Sequence, residues 1–268
     1  MASSVASKIK NYADWKREML VLAQKTASEG RMLNAAFYFR AAEFFMMVGD
    51  PDKLPTYKRF VQMVRDYYGI IESDLHLIPY EKGYLPAYRF RPDNPKETLV
   101  WFGGFDSYIE ELFPIMFTFR DAGYDVVAFE GPGQGGALEK FGLPMTHEWE
   151  KPVKAVLDYF KLDDVTLDGL SLGGCLVIRA AAFDLHVRRV IADDICFDFH
   201  NALLHTSPLI LQTVLKFLLT IRATRIINSL LYRLMKNDLL MEWGIKQGMH
   251  VMGTEPHPTT FSAKHSDS

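Results

Sequence analysis

Short, continuously apolar runs alternate with segments of helical periodicity between residues 98 and 192. Apolar strands that alternate with helices are typical of a mostly parallel sheet covered by helices on both faces, an α/β fold. The predicted strands are residues 98–102, 125–129, 165–168 and 189–192, and the predicted helices between them are residues 109–122, 149–160 and 172–184.

Helical patterns lie on both sides of this region. Three N-terminal helices are predicted at residues 12–28, 31–48 and 53–68, and alternating residues on either side of the turn at 81–83 predict an antiparallel hairpin. Three more helices are predicted after residue 208. The predicted units are an N-terminal helical lid (1–69), an α/β core (70–200), a helical cap (201–252) and a disordered tail (253–268).

Composition excludes several classes of protein. The formal charge of the 268 residues is −3 with both signs interspersed, which does not favour a nucleic-acid partner. The two cysteines form neither a disulfide framework nor a metal-ligand spacing, and no secretory signal is recognisable, so a cytoplasmic location is expected. Four basic residues interrupt the most apolar stretch, which excludes a membrane span: Lys216, Arg222, Arg225 and Arg233.

The strongest chemical signal is Gly169-Leu170-Ser171-Leu172-Gly173. It matches G-x-S-x-G and lies between a predicted strand and a predicted helix, where a sharp turn exposes a serine hydroxyl at a helix N-terminus. Small flanking residues are needed because strand and helix approach closely there. The pattern predicts Ser171 as a nucleophile, and the alternative is a glycine-rich turn with an incidental serine.

A Gly-Gly pair ends the first apolar strand at Gly103-Gly104. Acyl transfer needs two backbone N–H donors that converge on the developing oxyanion. We expect one donor from Leu172, directly after the serine, and the other from Phe105. The alternative for this segment is an ordinary strand-to-loop turn.

A third glycine-rich segment, Gly131 to Gly136, satisfies the dinucleotide fingerprint G-x-G-x-x-G. That fingerprint opens a helix at once, but Gly142 and Pro144 interrupt the following segment. The fingerprint should also lie in the first β-α unit of the fold and be followed by an acidic residue at the end of the next strand. Here the acidic residue Glu148 lies at the start of a helix instead. The match is interpreted as coincidental, and no cofactor or metal is expected.

Over residues 12–252 the chain resembles the α/β-hydrolase superfamily. The resemblance rests on the order of its features: a helical N-terminus, the hairpin, Gly-Gly-Phe-Asp, Gly-Pro-Gly-Gln-Gly and Gly-Leu-Ser-Leu-Gly-Gly. The resemblance is to the branch with an N-terminal helical lid. That branch includes dipeptidyl aminopeptidase/acylaminoacyl-peptidase-like enzymes, a pseudooxynicotine C–C hydrolase and fungal polyketide-shortening hydrolases. It implies Ser171 as nucleophile, Phe105 and Leu172 as the oxyanion hole, and a cap that faces the lid across the substrate pocket.

The family pattern continues after its serine with an acid and then a histidine, each following a further strand. Here no such strands are recognisable after the cap, so a truncated product is expected. Asp194 is the preferred substitute acid, ahead of Asp193, and the alternative for either is a strand-end turn residue. The catalytic histidine is left unassigned among eight candidates: His76, His147, His186, His200, His205, His250, His257 and His265.

Two functions are therefore expected from the sequence. The first is a serine hydrolase that cleaves a small-molecule ester, amide or activated C–C bond next to a ketone through an acyl-enzyme at Ser171. The second is a catalytically inactive hydrolase fold that acts as a binding module. An exposed edge of the sheet would favour self-association, so a homo-oligomer is a further expectation.

Overall fold

A computed structural model describes residues 3–193 and 209–254. A six-stranded mixed sheet lies at the centre, in the order β1-β2-β4-β3-β5-β6. The strands β1 and β2 form an antiparallel hairpin, β2 also pairs antiparallel with β4, and the remaining neighbours are parallel. The strands are β1 (Leu75–Tyr80), β2 (Gly83–Phe90), β3 (Thr98–Phe102), β4 (Asp125–Phe129), β5 (Val165–Leu170) and β6 (Val187–Asp193).

Helices precede, interrupt and follow the strands. The N-terminal group is α1 (Ser3–Ala6), α2 (Tyr12–Ser28), α3 (Met32–Phe44) and α4 (Lys53–Tyr68). The helices between strands are α5 (Phe113–Asp121), α6 (Gly135–Glu139), α7 (Glu150–Phe160) and α8 (Leu172–Phe183). The helices α9 (Leu209–Thr220), α10 (Thr224–Asn237) and α11 (Leu239–Val251) lie in the segment that the sequence predicts as a cap.

Both faces of the central strands β2 to β5 are covered, as continuously apolar strands require. Side chains of α7 and α8, among them Val153 and Val177, pack on one face together with Val100 and Leu167. The helices α4 and α5 pack on the other face, where Phe60 and Phe113 contact the strand residues. The helix α4, which the sequence assigned to the lid, therefore forms part of the main core.

The predicted α/β-hydrolase-type fold is confirmed, and several boundaries differ. Helix α3 ends at Phe44 rather than at residue 48. A 3₁₀ turn, Ile109–Leu112, precedes α5 because Pro114 can occupy only the first turn of a helix. Strand β6 begins two residues early, at Val187. The predicted disordered tail lies almost entirely outside the described residues.

Within the described ranges, no helix combines the length and apolar character needed to cross a membrane. The same ranges contain no cluster of three or more His, Cys, Asp or Glu side chains arranged to hold a metal ion.

Candidate active site

Ser171 occupies a strained turn between β5 and α8. Its φ and ψ are 58° and −122°, a conformation that a residue with a Cβ adopts only where its surroundings impose it. The Ser171 N–H donates to the Asp193 carbonyl of β6 at 2.8 Å, and the side chain is exposed. The serine is thus lifted above the C-terminal ends of the parallel strands, at the N-terminus of α8.

Two glycines make this turn sterically feasible. A Cβ at Gly169 would lie 2.1 Å from the carbonyl oxygen of Gly173, and a Cβ at Gly173 would lie 2.7 Å from that of Gly103. Real Cβ atoms do not approach backbone so closely, so only glycine fits at either position. The spacing of the G-x-S-x-G motif is therefore explained by direct backbone contact.

The Gly103-Gly104 loop lies directly against the serine turn because β3 and β5 are neighbours in the sheet. A Cβ at Gly104 would lie 2.9 Å from the Leu172 nitrogen and 3.0 Å from the Ser171 Cβ. The structure therefore brings together the two segments that carry Ser171-Leu172 and Phe105.

Gln134 holds this loop in its orientation. Its buried Nε2 donates to the carbonyls of Gly103 and Gly104, at 2.7 and 2.9 Å, and its Oε1 accepts from the Gly131 N–H at 3.0 Å. A trans peptide group directs its C=O and N–H in opposite directions. The Phe105 N–H therefore points away from Gln134, so that the Gly-Pro-Gly-Gln-Gly segment acts as a structural brace for the loop.

Glu130 occupies the position that a phosphate would take in a dinucleotide site. Its carboxyl group accepts hydrogen bonds from the Gly136 N–H at 2.5 Å and the Ile109 N–H at 3.4 Å. A Cβ at Gly135 would lie 1.7 Å from the Glu130 Oε1. A short helix, α6, does begin at once, contrary to our expectation. However, the N-terminus of that helix is already filled by a side chain of the protein itself.

Burial raises the pKa of Glu130 to about 8, and the nearby charge of Glu110 acts in the same direction. In the unfolded chain this carboxyl group ionises near pH 4.5. The folded state therefore binds one more proton between about pH 4.5 and 8, and the stabilisation present below this range is lost as the pH rises through it.

We therefore expect Glu130→Gln, which keeps the shape and an acceptor but cannot ionise, to remove this pH dependence. Between pH 5 and pH 8, the free energy of unfolding of the wild type should fall by on the order of 3 kcal/mol more than that of the variant. Urea titrations at both pH values measure the difference. Parallel pH profiles for the two proteins would contradict the assignment.

No described residue provides Ser171 with the acid or the base of a catalytic triad. Asp194, the preferred acid, lies outside the described residues. Asp193 ends β6 with an exposed side chain. Sequence reasoning did not single out Asp168, which lies buried in β5 three residues before the serine; burial and the charge of Asp193 raise its pKa to about 6.

Four of the eight histidines are described, and none of these hydrogen-bonds to Ser171. His76 contacts the Tyr159 hydroxyl at 3.4 Å, and His186 contacts Asp184 at 2.7 Å. His250 lies in the last turn of α11, as expected, with its Nε2 3.1 Å from the Glu139 Oε1. The remaining described histidine, His147, is exposed, and the other four lie outside the described residues: His200, His205, His257 and His265.

Helix α11 contacts the N-terminal helix α3 through aromatic side chains. Trp243 of α11 stacks on Phe44 of α3 with ring centroids 4.7 Å apart, and its indole N–H donates to the Phe44 carbonyl at 2.8 Å. Trp243 and Phe44 also line a pocket that reaches Phe105 and Asp106 of the loop beside Ser171.

A buried ionic network lines the same pocket. Arg40 donates to Glu43 at 2.8 Å and to Glu111 at 2.6 Å, and Glu43 also accepts from Lys53 and from the Tyr108 hydroxyl. Sequence reasoning missed these residues. The available signal was a pair of opposite charges, Arg40 and Glu43, three positions apart in the otherwise apolar helix α3.

Comparisons with known proteins identify relatives of this chain. The chain is 32% identical over 225 residues to hydrolase acrC of Aspergillus aculeatus, covering 71% of this chain and 52% of the relative. It is 34% identical over 189 residues to alpha/beta hydrolase psoB of Aspergillus fumigatus, covering 60% and 42%. The chain spans about half the length of the curated relatives it matches, and no family model matches it.

Solved structures show the same fold. AbyA5 superposes with a TM-score of 0.60 at 20% identity, over 70% of this chain and 56% of the other. The 2,6-dihydroxy-pseudo-oxynicotine hydrolase superposes with a TM-score of 0.51 at 23% identity, over 67% and 56%. The fold is therefore that of the α/β-hydrolases. Within that class, this chain is a relative of the fungal alpha/beta hydrolases.

Proposed function

We propose that the protein is a serine hydrolase that forms an acyl-enzyme at Ser171. The observation that carries the proposal is the strained Ser171 turn, with its φ of 58°, packed against the Gly103-Gly104 loop. Strain at a solvent-exposed serine has no evident structural purpose, because an unstrained turn would connect β5 and α8 at lower cost. The names of the relatives, hydrolase and alpha/beta hydrolase, support the same reaction class.

In the proposed reaction the Ser171 Oγ attacks the carbonyl carbon of the substrate as its proton passes to a base. The carbonyl π electrons move to the oxygen, and the Leu172 and Phe105 N–H groups stabilise the resulting oxyanion. Collapse of the tetrahedral intermediate expels the protonated leaving group. Water then attacks the acyl-enzyme, and the acid and Ser171 are released.

We assign the base to a group outside the described residues. Three of the four described histidines contact Tyr159, Asp184 or Glu139, and none of the four hydrogen-bonds to Ser171. Asp194 remains our proposed acid, because it directly follows β6, whose last residue accepts the Ser171 N–H bond.

The proposed substrate is a small-molecule ester, amide or ketone with an apolar acyl group. The pocket beside the Phe105 loop is lined partly by charged side chains, but it shares Phe44 with a groove lined by Trp15, Phe37 and Phe45, which gives an aromatic surface along α3. Such surface favours an apolar or aryl group over a charged one.

A hydrolase-fold binding module is the second candidate. It is favoured by one observation, the lack of any described histidine in contact with the Ser171 hydroxyl. A serine without a base is a poor nucleophile, because its proton has no acceptor as the new bond forms. The aromatic groove would then bind a ligand that the protein does not cleave.

Ser171→Ala is expected to abolish covalent labelling by a fluorophosphonate probe, measured as the initial rate of labelling of the folded chain. Loss of the nucleophile lowers turnover in serine hydrolases by on the order of 10⁴–10⁶-fold. Ser107→Ala is the matched control, because Ser107 lies beside Gly103 in the same region and should be dispensable for labelling.

A thermal melt of each protein accompanies the labelling. A folded wild-type chain that is not labelled would reject the acyl-enzyme and favour the binding module. Labelling that persists in Ser171→Ala would assign the nucleophile to a different residue.

A further inference from the structure

Arg40 is a buried arginine of α3 that the proposed reaction leaves without a role. Its side chain is only 8% exposed, whereas arginine side chains mostly reach solvent. The guanidinium carbon lies 4.1 Å from the centroid of the Tyr108 ring and 4.9 Å from that of the Phe44 ring. Aromatic rings stabilise a cation at such distances and restrict the orientation of the planar group. Arg40 is therefore held in one position, with little surface left for contact with a substrate.

Three nitrogen atoms of Arg40 donate hydrogen bonds to three different groups. Nη1 donates to the Glu43 carboxylate at 2.8 Å, and Nε donates to the Glu111 carboxylate at 2.6 Å. Nη2 donates to the backbone carbonyl of Asp106. The two carboxylates already account for the buried positive charge, because a buried charge requires a partner of opposite sign. The bond to Asp106 adds no neutralisation, and its effect is to fix the backbone of a loop.

That loop carries Phe105, one of the two proposed oxyanion donors. On the N-terminal side of Phe105, Gln134 donates to the Gly104 carbonyl at 2.9 Å. On the C-terminal side, Arg40 donates to the Asp106 carbonyl. Gln134 by itself would leave the backbone after Phe105 able to rotate about the torsion angles of that residue. The contact with Arg40 restricts this rotation, so the two side chains together fix the direction of the Phe105 N–H.

The same network fastens the rest of the loop to α3, although Arg40 and Asp106 are 66 residues apart in the chain. The Glu111 Oε1 that accepts from Arg40 also accepts from the Tyr108 N–H, at 2.9 Å. The Tyr108 hydroxyl in turn donates to Glu43 at 2.9 Å. Arg40 is therefore the centre of a group of contacts through which a helix of the N-terminal segment holds this loop.

We propose that Arg40 is a positioning residue for the oxyanion hole: by holding the Asp106 carbonyl, it directs the Phe105 N–H towards the substrate carbonyl at Ser171. Helix α3 then contributes to the reaction through this loop rather than through contact with the substrate. The role rests on the acyl-enzyme proposed above. Lysine cannot fulfil it, because an ammonium group is a compact charge without the planar fork of donors that reaches two carboxylates and a carbonyl.

The test compares Arg40→Lys with the wild type in the 268-residue chain. Labelling by the fluorophosphonate probe over a range of probe concentrations separates the rate constant of inactivation, kinact, from the apparent dissociation constant of the probe, KI. The substitution retains a positive charge beside Glu43 and Glu111, so a folded protein is expected. The value of kinact should fall at least about tenfold, because a donor is displaced where negative charge develops, while KI should change by less than about threefold.

Arg89→Lys is the matched control. Arg89 donates to both carboxylate oxygens of Asp125, at 3.0 and 2.6 Å, and its guanidinium carbon lies 5.2 Å from the centroid of the Phe160 ring. The control therefore loses the same kinds of contact as Arg40→Lys. Asp125 begins β4, however, and so lies at the edge of the sheet opposite to Ser171. Arg89→Lys should be labelled at the wild-type rate, even where a thermal melt shows a similar loss of stability.

Hydrogen–deuterium exchange of residues 103–109 examines the loop without any catalysis. Amides in a segment that opens more often exchange faster. Arg40→Lys should accelerate exchange in this segment at least about threefold, and Arg89→Lys should leave it unchanged.

Wild-type kinact in folded Arg40→Lys would overturn the proposal, and an increase in KI alone would instead assign Arg40 to substrate binding. Should Arg40→Lys not fold, Glu111→Ala is the second variant, because Glu111 is partly exposed and its loss releases both the Arg40 Nε and the Tyr108 N–H. The value of kinact should again fall, by about threefold or more, and unchanged labelling of folded Glu111→Ala would contradict the proposed role.

A folded wild type that is not labelled would reject the acyl-enzyme at Ser171 itself, and with it the catalytic part of this proposal. The exchange measurement separates that failure from a failure of the anchor. Faster exchange of the loop in Arg40→Lys would still show that Arg40 holds it, and wild-type exchange would exclude Arg40 as the anchor.

Discussion

Gly169→Ala is expected to lower the free energy of unfolding by more than about 4 kcal/mol, the largest effect on stability that we predict. The new methyl carbon would lie 2.1 Å from the Gly173 carbonyl oxygen and 2.4 Å from its carbonyl carbon. These atoms belong to the backbone of the first turn of α8, so relief requires β5 and α8 to separate rather than a side chain to rotate. Urea denaturation followed by circular dichroism measures the loss.

Gly244→Ala is the matched control for this substitution. A Cβ at Gly244 meets no atom within 4 Å, and the residue lies inside α11, where alanine is the better helix former. The control should therefore be as stable as the wild type or slightly more stable. Equal urea midpoints for Gly169→Ala and Gly244→Ala would show that strand and helix are not in the close contact described here.

Gly104→Ala is expected to slow fluorophosphonate labelling of Ser171 by about 100-fold or more, with a smaller loss of stability than Gly169→Ala because its closest backbone contact is longer. Its Cβ would lie 2.9 Å from the Leu172 nitrogen and 3.0 Å from the Ser171 Cβ. Relief requires the loop to shift by some tenths of an ångström away from the serine turn. Such a shift moves the Phe105 N–H relative to the Leu172 N–H, and displacements of this kind in an oxyanion site cost on the order of 10²-fold or more.

The matched control is Gly248→Ala, whose methyl group would be in ordinary contact, 3.9 Å, with the Phe105 ring. It alters the far side of the Phe105 loop without contacting Leu172 or Ser171. Labelling rates and thermal melts of the two variants separate a local effect on the oxyanion hole from general instability. Wild-type labelling by folded Gly104→Ala would exclude this loop from the proposed oxyanion hole.

The elements with strong local signals were predictable. The strands β3, β4 and β5 are short apolar runs between helices, and their bounds agree with the prediction to within two residues. The serine turn was predictable for the same reason, because the glycines that permit it are neighbours of Ser171 in the chain. Boundaries set by a competing local effect, such as the 3₁₀ turn before Pro114, were predicted less well.

The role of the Gly131–Gly136 segment could not be derived from its pattern. The glycine spacing agrees with a phosphate-binding loop, and a short helix does follow it. Only the position of Glu130, folded back beneath the N-terminus of α6, shows that the site is filled. A carboxyl group in a strand-end position can point towards solvent or inward, and its local sequence is the same in both cases.

The sequence by itself determined the α/β alternation, the N-terminal helices and those after residue 208, and the strand–serine–helix turn, because each depends on periodicity or on steric limits within a few residues. Only the tertiary structure decided which distant residues contact that turn. The order of the strands places Gly104 against Leu172, and Gln134 orients that loop through two carbonyls some thirty residues away. The ion pairs of Arg40 and Lys53 join the N-terminal helices to Glu111 of the 3₁₀ turn and to Glu139 of α6. Such contacts arise from packing between distant segments, for which a sequence pattern carries no local signal.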